Sequence, residues 1–206
     1  FSDVNCYLVK NETGYFLIDT GMTNSRHLVE TELVRLGCRP GNLNLILITH
    51  GDFDHTGNAA YLRKVFASKI AMHEADAGIL ENGDMFWNRK IRSGLLKKVL
   101  PFFISFGKAE QCTPDILLRD GLSLAEYGLN SKVFNTPGHS SGSLCILTST
   151  GELFCGDLLT SARQKPGLNS MMYDREAGNL SLERLKTLPI QTVYPGHGKP
   201  FQWSAM

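Results

Sequence analysis

The chain has 206 residues, of which 42% are hydrophobic and 20% are charged, as in an ordinary soluble globular protein. Its net charge of +1 argues against nucleic acid or an anionic membrane as an obligatory partner, and no apolar run approaches the ~20 residues that span a bilayer. The length suits one substantial core, so we expect a single domain over residues 1–206, located in the cytoplasm and without a membrane partner.

The cysteines do not form a recognisable framework. Five are scattered through the chain, and their odd number and wide spacing match neither a disulfide scaffold nor a zinc ribbon. We therefore expect free thiols in a reducing compartment, with Cys155 packed in the core although it lies close to Asp157. The five are Cys6, Cys38, Cys112, Cys145 and Cys155.

The first half of the chain alternates predicted strands with predicted helices. A helix that Thr23 or Asn24 can cap ends at Gly37, and we expect His27 on this helix to be exposed. Two further helices are predicted at residues 59–66 and 74–80. The predicted strands of this half are residues 4–9, 15–18, 43–48 and 69–72.

Four potential metal ligands lie within six residues after the third strand: His50, Asp52, Asp54 and His55. A strand enters this loop and a helix leaves it, which holds the side chains rigidly at a sheet edge, where an active site can lie. Imidazole and carboxylate groups are the ligands that bind zinc, iron or manganese. A single His or Asp in a loop is usually part of a surface turn, so a metal site requires further ligands elsewhere.

The middle of the chain is its least regular part. His73 follows the fourth strand, and we expect it to be a hydrogen-bonded structural residue rather than a ligand. Residues 81–114 carry both an aromatic cluster and a basic run, which favours an amphipathic helical insertion. Composition does not decide whether this insertion covers the metal cleft or lines a homodimer interface.

The second half is predicted to be mainly β, and three more polar residues follow its strands. His139 and His197 each lie in a Pro-Gly turn, and Asp157 follows an apolar strand. Chance hardly supplies all three together with the first motif. The predicted strands are residues 116–118, 123–127, 132–135, 143–148, 152–155 and 192–194, and a helix with Ser181 as its cap is predicted at residues 182–188.

These motifs resemble those of the metallo-β-lactamase superfamily. Its pattern is His-x-His-x-Asp-His, a later His in a Pro-Gly-His turn, a Gly-Asp and a last His. The resemblance extends from Asn5, through the Asp-Thr-Gly at residues 19–21, to Gly198. It implies an α+β fold, a four-layer αββα sandwich of two mixed β-sheets with helices on the outer faces. One position departs from the pattern, because Asp52 replaces the second His of the first motif.

The resemblance also implies a binuclear metal centre with seven ligands. One ion would lie among His50, Asp52 and His139, a second among Asp54, His55 and His197, and Asp157 would bridge them. Asp54 and Asp157 would be the catalytic residues. The implied cofactors are two divalent ions, zinc first, with iron or manganese as alternatives. Two such ions lower the pKa of a shared water, so hydrolysis needs no protein nucleophile.

Asp52 changes the expected chemistry. A carboxylate lowers the net positive charge of the cluster, which weakens its Lewis acidity, and oxygen-rich ligation shifts the preference from zinc towards iron or manganese. The flavodiiron branch of the superfamily resembles this site, since it carries Glu at this position and binds iron, although this chain lacks that branch's flavin domain. Because Asp is shorter than Glu, Asp52 either ligates the metal or leaves that site weak.

Three functions stay open from the sequence. The favoured one is a metal-dependent hydrolase that attacks an ester, thioester, lactone or related bond of a small-molecule substrate, because most compact single-domain relatives are of this kind. The second is a non-haem iron redox protein related to flavodiiron or sulfur-oxidising members, and the third is a metal-binding scaffold without turnover. Arg163 or Lys165, after the bridging Asp, either holds a substrate carboxylate or phosphate or is a solvated charge.

Overall fold

A computed structural model of the chain describes residues 4–87, 110–162 and 165–206. In these residues two mixed β-sheets pack face to face, and helices cover their outer faces. The αββα sandwich that the family resemblance implies is therefore confirmed. None of the described helices has the length and apolar character needed to cross a membrane.

Most elements lie within a few residues of their predicted positions. The strands are β1 (Tyr7–Asn11), β2 (Gly14–Ile18), β3 (Leu43–Leu47), β4 (Lys69–His73), β5 (Ile116–Leu118), β6 (Ser131–Asn135), β7 (Leu144–Thr148), β8 (Glu152–Gly156), β9 (Leu159–Thr160), β10 (Gly167–Leu168), β11 (Thr192–Pro195) and β12 (Phe201–Gln202). The helices are α1 (Arg26–Arg35), α2 (Phe53–Thr56), α3 (Ala59–Phe66), α4 (Glu74–Asn82) and α5 (Arg175–Leu185).

Both sheets combine parallel and antiparallel pairs. The first has the order β1-β2-β3-β4-β5, with an antiparallel β1–β2 hairpin followed by parallel neighbours. The second has the order β12-β11-β8-β7-β6, in which β11 and β8 are parallel and the other pairs antiparallel. A separate hairpin of β9 and β10 follows β8.

Alternation along β2 and β3 divides the core into two faces, because successive side chains of a strand point in opposite directions. Phe16 and Leu45 lie in the layer between the sheets, whereas their neighbours Leu17 and Ile46 pack under the helices. Burial of apolar surface, at about 25 cal/mol per Å², is what holds the two sheets together. The layer between them includes Phe16, Ile18, Leu45, Leu47, Val133, Leu144, Ile146 and Phe154.

The outer layers pack on the opposite face of each sheet. On the first sheet, Leu33 of α1 and Phe66 of α3 belong to one buried cluster with Leu17 and Ile46. On the second sheet, Leu185 of α5 packs in a cluster with side chains of β7, β8 and β11. The order of layers is thus helix, sheet, sheet, helix.

The strand predicted at residues 123–127 is wrong. Ala125–Tyr127 is a short 3-10 helix, and Ser123 makes only an isolated β-bridge with Lys132. The Ser123 hydroxyl oxygen accepts a hydrogen bond from the Ala125 N–H at 3.2 Å. Such local side-chain bonds compete with strand pairing, and residue type alone did not reveal this one.

The helix predicted at residues 182–188 has the wrong start and the wrong cap. Helix α5 begins seven residues earlier, and Asp174 rather than Ser181 caps it, with Asp174 Oδ1 accepting from the Ala177 N–H at 3.0 Å. The sequence did not indicate the first turns of α5, because they contain Gly178 and glycine is a poor helix former. A Cβ at Gly138 would lie 2.6 Å from Gly178 Cα. The two glycines therefore let the main chain of α5 contact the main chain of the turn that carries His139.

Two histidines outside the ligand motifs lie as predicted. The Nδ1 atom of His73 accepts a hydrogen bond from the Ala75 N–H at 3.1 Å and so caps α4. His27 is exposed on α1. Neither contributes to the cluster described below.

The remaining predictions for the fold have mixed outcomes. All five cysteines are free, and Cys155 is buried as expected. Most of the predicted insertion at residues 81–114 lies outside the described part of the chain, which omits residues 88–109. That insertion and the assignment of a single domain stay predictions.

Leu45→Ala should lower the free energy of unfolding by about 2–5 kcal/mol, because it leaves a cavity in the layer between the sheets. Leu117→Ala is the matched control, since this leucine of β5 is 49% exposed and its truncation should change stability by less than about 0.5 kcal/mol. Urea denaturation measures both. Equal effects in the two variants would contradict the proposed layering.

Candidate metal centre

Loops that follow strands of both sheets bring the predicted ligands to one place. The loop after β3 leads into the short helix α2, which carries Asp54 and His55. His139, Asp157 and His197 follow β6, β8 and β11, strands of the second sheet. The cluster therefore lies at the junction of the two sheets.

The first group of side chains consists of His50, Asp52 and His139, all buried. Asp52 Oδ2 lies 3.0 Å from His139 Nε2 and 3.8 Å from His50 Nε2. The shorter side chain of Asp thus reaches the two imidazoles. These distances are compatible with one cation between the three groups.

The second group consists of Asp54, His55 and His197. Asp54 Oδ2 lies 3.4 Å from His197 Nε2 and 3.9 Å from His55 Nε2. His55 is fully buried, whereas Asp54 and His197 are partly exposed towards solvent. This group is therefore the more accessible of the two.

Asp157 lies between the two groups. Its Oδ1 is 3.4 Å from His55 Nε2, and its Oδ2 is 3.4 Å from His197 Nε2 and 4.0 Å from His139 Nε2. One carboxylate thus faces imidazoles of both groups. All seven side chains singled out from the sequence converge, and Asp157 occupies the position that a bridging ligand requires.

Three buried atoms at the centre have no hydrogen-bond partner among the described residues: His50 Nε2, His55 Nε2 and Asp157 Oδ1. Burying a polar atom without a partner costs free energy, and a native structure rarely leaves three together. Imidazole nitrogen and carboxylate oxygen are typical ligands of divalent metals. The residues present therefore fit a metal centre.

Asp19, at the end of β2, orients two of these histidines. Its Oδ2 lies 2.8 Å from His55 Nδ1 and accepts a hydrogen bond from the Thr49 hydroxyl at 2.8 Å, while Thr49 Oγ1 lies 3.0 Å from His50 Nδ1. These contacts leave both Nε2 atoms directed at the cluster. We did not predict this from the sequence, where the Asp-Thr-Gly motif served only to mark the extent of the family resemblance. The sequence signal that could have revealed this role is an acidic residue at the end of a predicted strand. In the structure, Asp19 has a φ of 59°, which is unusual for a residue other than glycine.

His139 is oriented by main chain instead. Its Nδ1 lies 2.6 Å from the Met171 carbonyl oxygen, which accepts the hydrogen bond. Glycine allows a comparable close approach at the last turn, since a Cβ at Gly196 would collide with Asp157 and His55. Side-chain and main-chain contacts together fix the ring directions.

The charges of the cluster influence one another. Burial opposes the ionisation of Asp157, but the neighbouring His55 and His50 outweigh it and hold the pKa of this carboxyl well below its usual range. Burial also lowers the pKa of His50. Burial acts in the same direction at His139, but the hydrogen bond and charge of Asp52, together with the charge of Asp157, outweigh it and raise the pKa of His139. Anionic carboxylates in this place favour a cation.

A cleft of about 380 Å³ opens onto the cluster. Asp54, His139, Asp157 and His197 reach its floor. Its walls are mainly apolar, and Lys165 lies at its rim, whereas Arg163 is outside the described residues. The apolar residues that line the cleft include Phe53, Met85, Leu168 and Met171.

Comparison with known proteins agrees with this geometry. The sequence matches the Metallo-beta-lactamase superfamily over residues 1–197. It is 29% identical to a hydroxyacylglutathione hydrolase from Shewanella halifaxensis, over 91% of this chain and 58% of that protein. It is 27% identical to the acyl-coenzyme A thioesterase MBLAC2 of Bos taurus, over 96% of this chain and 74% of that protein.

Solved structures match over the same extent. A crystal structure of TTHA1623 in a di-iron-bound form has a TM-score of 0.72 and 25% sequence identity, and the match covers 100% of this chain and 96% of that one. The order of the elements, the ligand motifs and the extent of the sequence match lead to one assignment. This chain belongs to the metallo-beta-lactamase superfamily.

Proposed function

We propose that this protein hydrolyses an ester, thioester, lactone or related acyl bond of a small molecule at a binuclear metal centre. The observation that carries the proposal is the convergence of seven potential ligand side chains. Three of them each place at the centre a buried atom that has no hydrogen-bond partner in the described residues. Two bound divalent cations would supply Lewis acidity, lowering the pKa of water and polarising the attacked carbonyl.

The protein would hold the two ions with the two groups described above. His50, Asp52 and His139 would bind the first ion, and Asp157 would bind both. The 3.0 Å distance between Asp52 Oδ2 and His139 Nε2 supports Asp52 as a ligand rather than a side chain that falls short. The second ion would be bound by Asp54, His55 and His197.

Zinc is the expected metal, and the donor set supports iron as the alternative. Asp52 adds oxygen where a histidine would supply nitrogen, and oxygen-rich sites favour harder metals. The di-iron-bound form of TTHA1623 is a relative with iron in this fold. Metal analysis of the purified protein separates the two.

The remaining chemistry would be performed by the residues of the cleft. Asp54 lies at the cleft floor beside His197, where its Oδ2 can accept the proton of the attacking water. Met85, Leu168 and Met171 offer an apolar wall to the acyl group. Lys165 at the rim would attract an anionic group of the substrate. The described part of the cleft therefore suits an apolar acyl group joined to an anionic portion.

An iron redox protein is the second candidate. The oxygen-rich donor set and the di-iron-bound form of TTHA1623 favour it. A redox centre would contain iron as purified and would show an absorption spectrum that changes on reduction. Colourless protein with two equivalents of zinc would exclude it.

The proposed function is tested with a panel of esters, thioesters, lactones, β-lactams and phosphodiesters, with metal content measured on the same sample. We expect chelator-sensitive hydrolysis of acyl substrates, and faster hydrolysis of an anionic thioester than of a neutral one of equal length. Protein that holds two metal equivalents yet hydrolyses no member of the panel would refute the proposal.

Asp157→Ala should abolish hydrolysis and uncouple the binding of the two ions, because Asp157 is the side chain that faces both groups. Isothermal titration with Zn²⁺ measures the stoichiometry and affinity, and circular dichroism checks the fold. Glu126→Ala, at an exposed position, is the control. Unchanged stoichiometry and affinity in Asp157→Ala would count against a bridging position.

Asp52→His should shift metal preference towards zinc and move the acidic limb of the pH–rate profile to lower pH. The substitution removes a negative charge beside the first ion, so the attacking water ionises more readily. Metal content after growth in mixed zinc and iron, together with the pH–rate profile, compares the variant with the wild type. Identical content and profile would mean that Asp52 does not ligate.

A further inference from the structure

Asp76 is a buried carboxylate that connects the two loops of the first group. It lies on α4 and is 1% exposed. Its Oδ2 accepts hydrogen bonds from the Gly51 N–H at 2.9 Å and the Ser140 hydroxyl at 2.7 Å, and its Oδ1 accepts one from the Gly142 N–H at 2.9 Å. An ionised carboxylate only accepts, and here three donors face it.

These bonds lie next to the metal-binding side chains. Gly51 separates His50 from Asp52, and Ser140 directly follows His139. Asp76 itself belongs to none of the groups of potential ligands. It therefore fixes the main chain that carries the first group without contributing an atom to it.

The main chain of both loops packs tightly against side chains of α4. A Cβ at Gly142 would lie 2.6 Å from Asp76 Cγ, and a Cβ at Gly51 would lie 2.7 Å from Ile79 Cγ2. Both loops thus contact the helix at backbone distance. The hydrogen bonds of Asp76 and this packing act on the same two loops.

Asn5 holds the main chain next to the second group, as Asp76 does next to the first. Its Nδ2 donates hydrogen bonds to the carbonyl oxygens of Pro195, at 3.0 Å, and Gly198, at 2.7 Å. Its main-chain N–H donates to the Gly196 carbonyl at 2.8 Å. The turn that presents His197 is therefore held on both sides of this histidine.

We propose that Asp76 and Asn5 are positioning residues, each of which supports one half of the metal centre independently of the other. Asp76 would hold the first group through the loops of His50 and His139, and Asn5 would hold the second group through the turn of His197. The inference rests on the two-ion centre of the proposed function. It predicts that each residue controls the affinity for one ion only.

The two residues allow a matched pair of isosteric exchanges. Asp76→Asn places a donor where the structure has only donors facing it, and Asn5→Asp places an acceptor against two carbonyl oxygens. Each exchange conserves the size of the side chain. In Asp76→Asn one oxygen still accepts, but the new amide N–H faces a donor, so at least one of the three hydrogen bonds is lost; Asn5→Asp loses both hydrogen bonds of the side chain. Glu81→Gln, at an exposed position of α4, is the control for a lost charge on the same helix.

The test measures Zn²⁺ affinity in two backgrounds that each retain one group. His197→Ala leaves the first group intact, and His139→Ala leaves the second. Asp76→Asn should weaken Zn²⁺ binding about 10–100-fold in the His197→Ala background, the usual range for residues that orient ligands, and by less than about twofold in the other background. Asn5→Asp should give the reverse pattern, and Glu81→Gln should change neither affinity.

Ser140→Ala guards against a failure of Asp76→Asn to fold, because it removes one of the three hydrogen bonds. It should weaken binding in the His197→Ala background about two- to tenfold, the value of a single hydrogen bond. Losses of equal size in both backgrounds, or no loss in either, would overturn the proposal.

The Zn²⁺ titrations, together with the hydrolysis assay of the wild type, distinguish a failure of this proposal from a failure of the proposed function. Wild type that binds two ions but hydrolyses no substrate refutes the hydrolase, while the affinities of the variants still decide whether Asp76 and Asn5 position the groups. Wild type that binds no divalent ion refutes both.

Discussion

The structure depends on bringing buried imidazoles and carboxylates so close together that three of their polar atoms have no hydrogen bond among the described residues. His50 Nε2, His55 Nε2 and Asp157 Oδ1 lie in the interior without a hydrogen-bond partner among the described residues. Such atoms disfavour folding unless a cation binds them. The rest of the fold must therefore supply enough stability to keep these atoms in place, and the buried apolar clusters between the sheets and under the helices supply it.

The supporting contacts explain how ligands distant in sequence keep fixed directions. Asp19 bonds to His55 and, through Thr49, contacts His50, whereas main-chain carbonyl oxygen orients His139. Glycines at the turns allow main chain to approach where any side chain would collide, as at Gly196 beside Asp157. Rigid strands position the main chain of these residues, and hydrogen bonds fix the orientation of their side chains.

The sequence singled out the seven side chains that the structure brings together, because their signals are local. Each ligand lies directly after an apolar strand or in a Pro-Gly turn, and both patterns are visible without a structure. Asp76 and Asn5 were missed as supporting residues because their meaning comes from contacts with residues far away in the chain. The errors at Ser123 and Asp174 have another cause, since both side chains bond to nearby main chain and change the local structure.

Met171 both holds the imidazole of His139 and lines the cleft, and it uses different atoms for the two purposes. The carbonyl of Met171 holds the imidazole, while its side chain is 73% exposed and lines the cleft. Every amino acid has a carbonyl, so the residue at this position can be exchanged without loss of that hydrogen bond. The wall of the cleft can thus change its shape and polarity at this position while the imidazole of His139 keeps its direction.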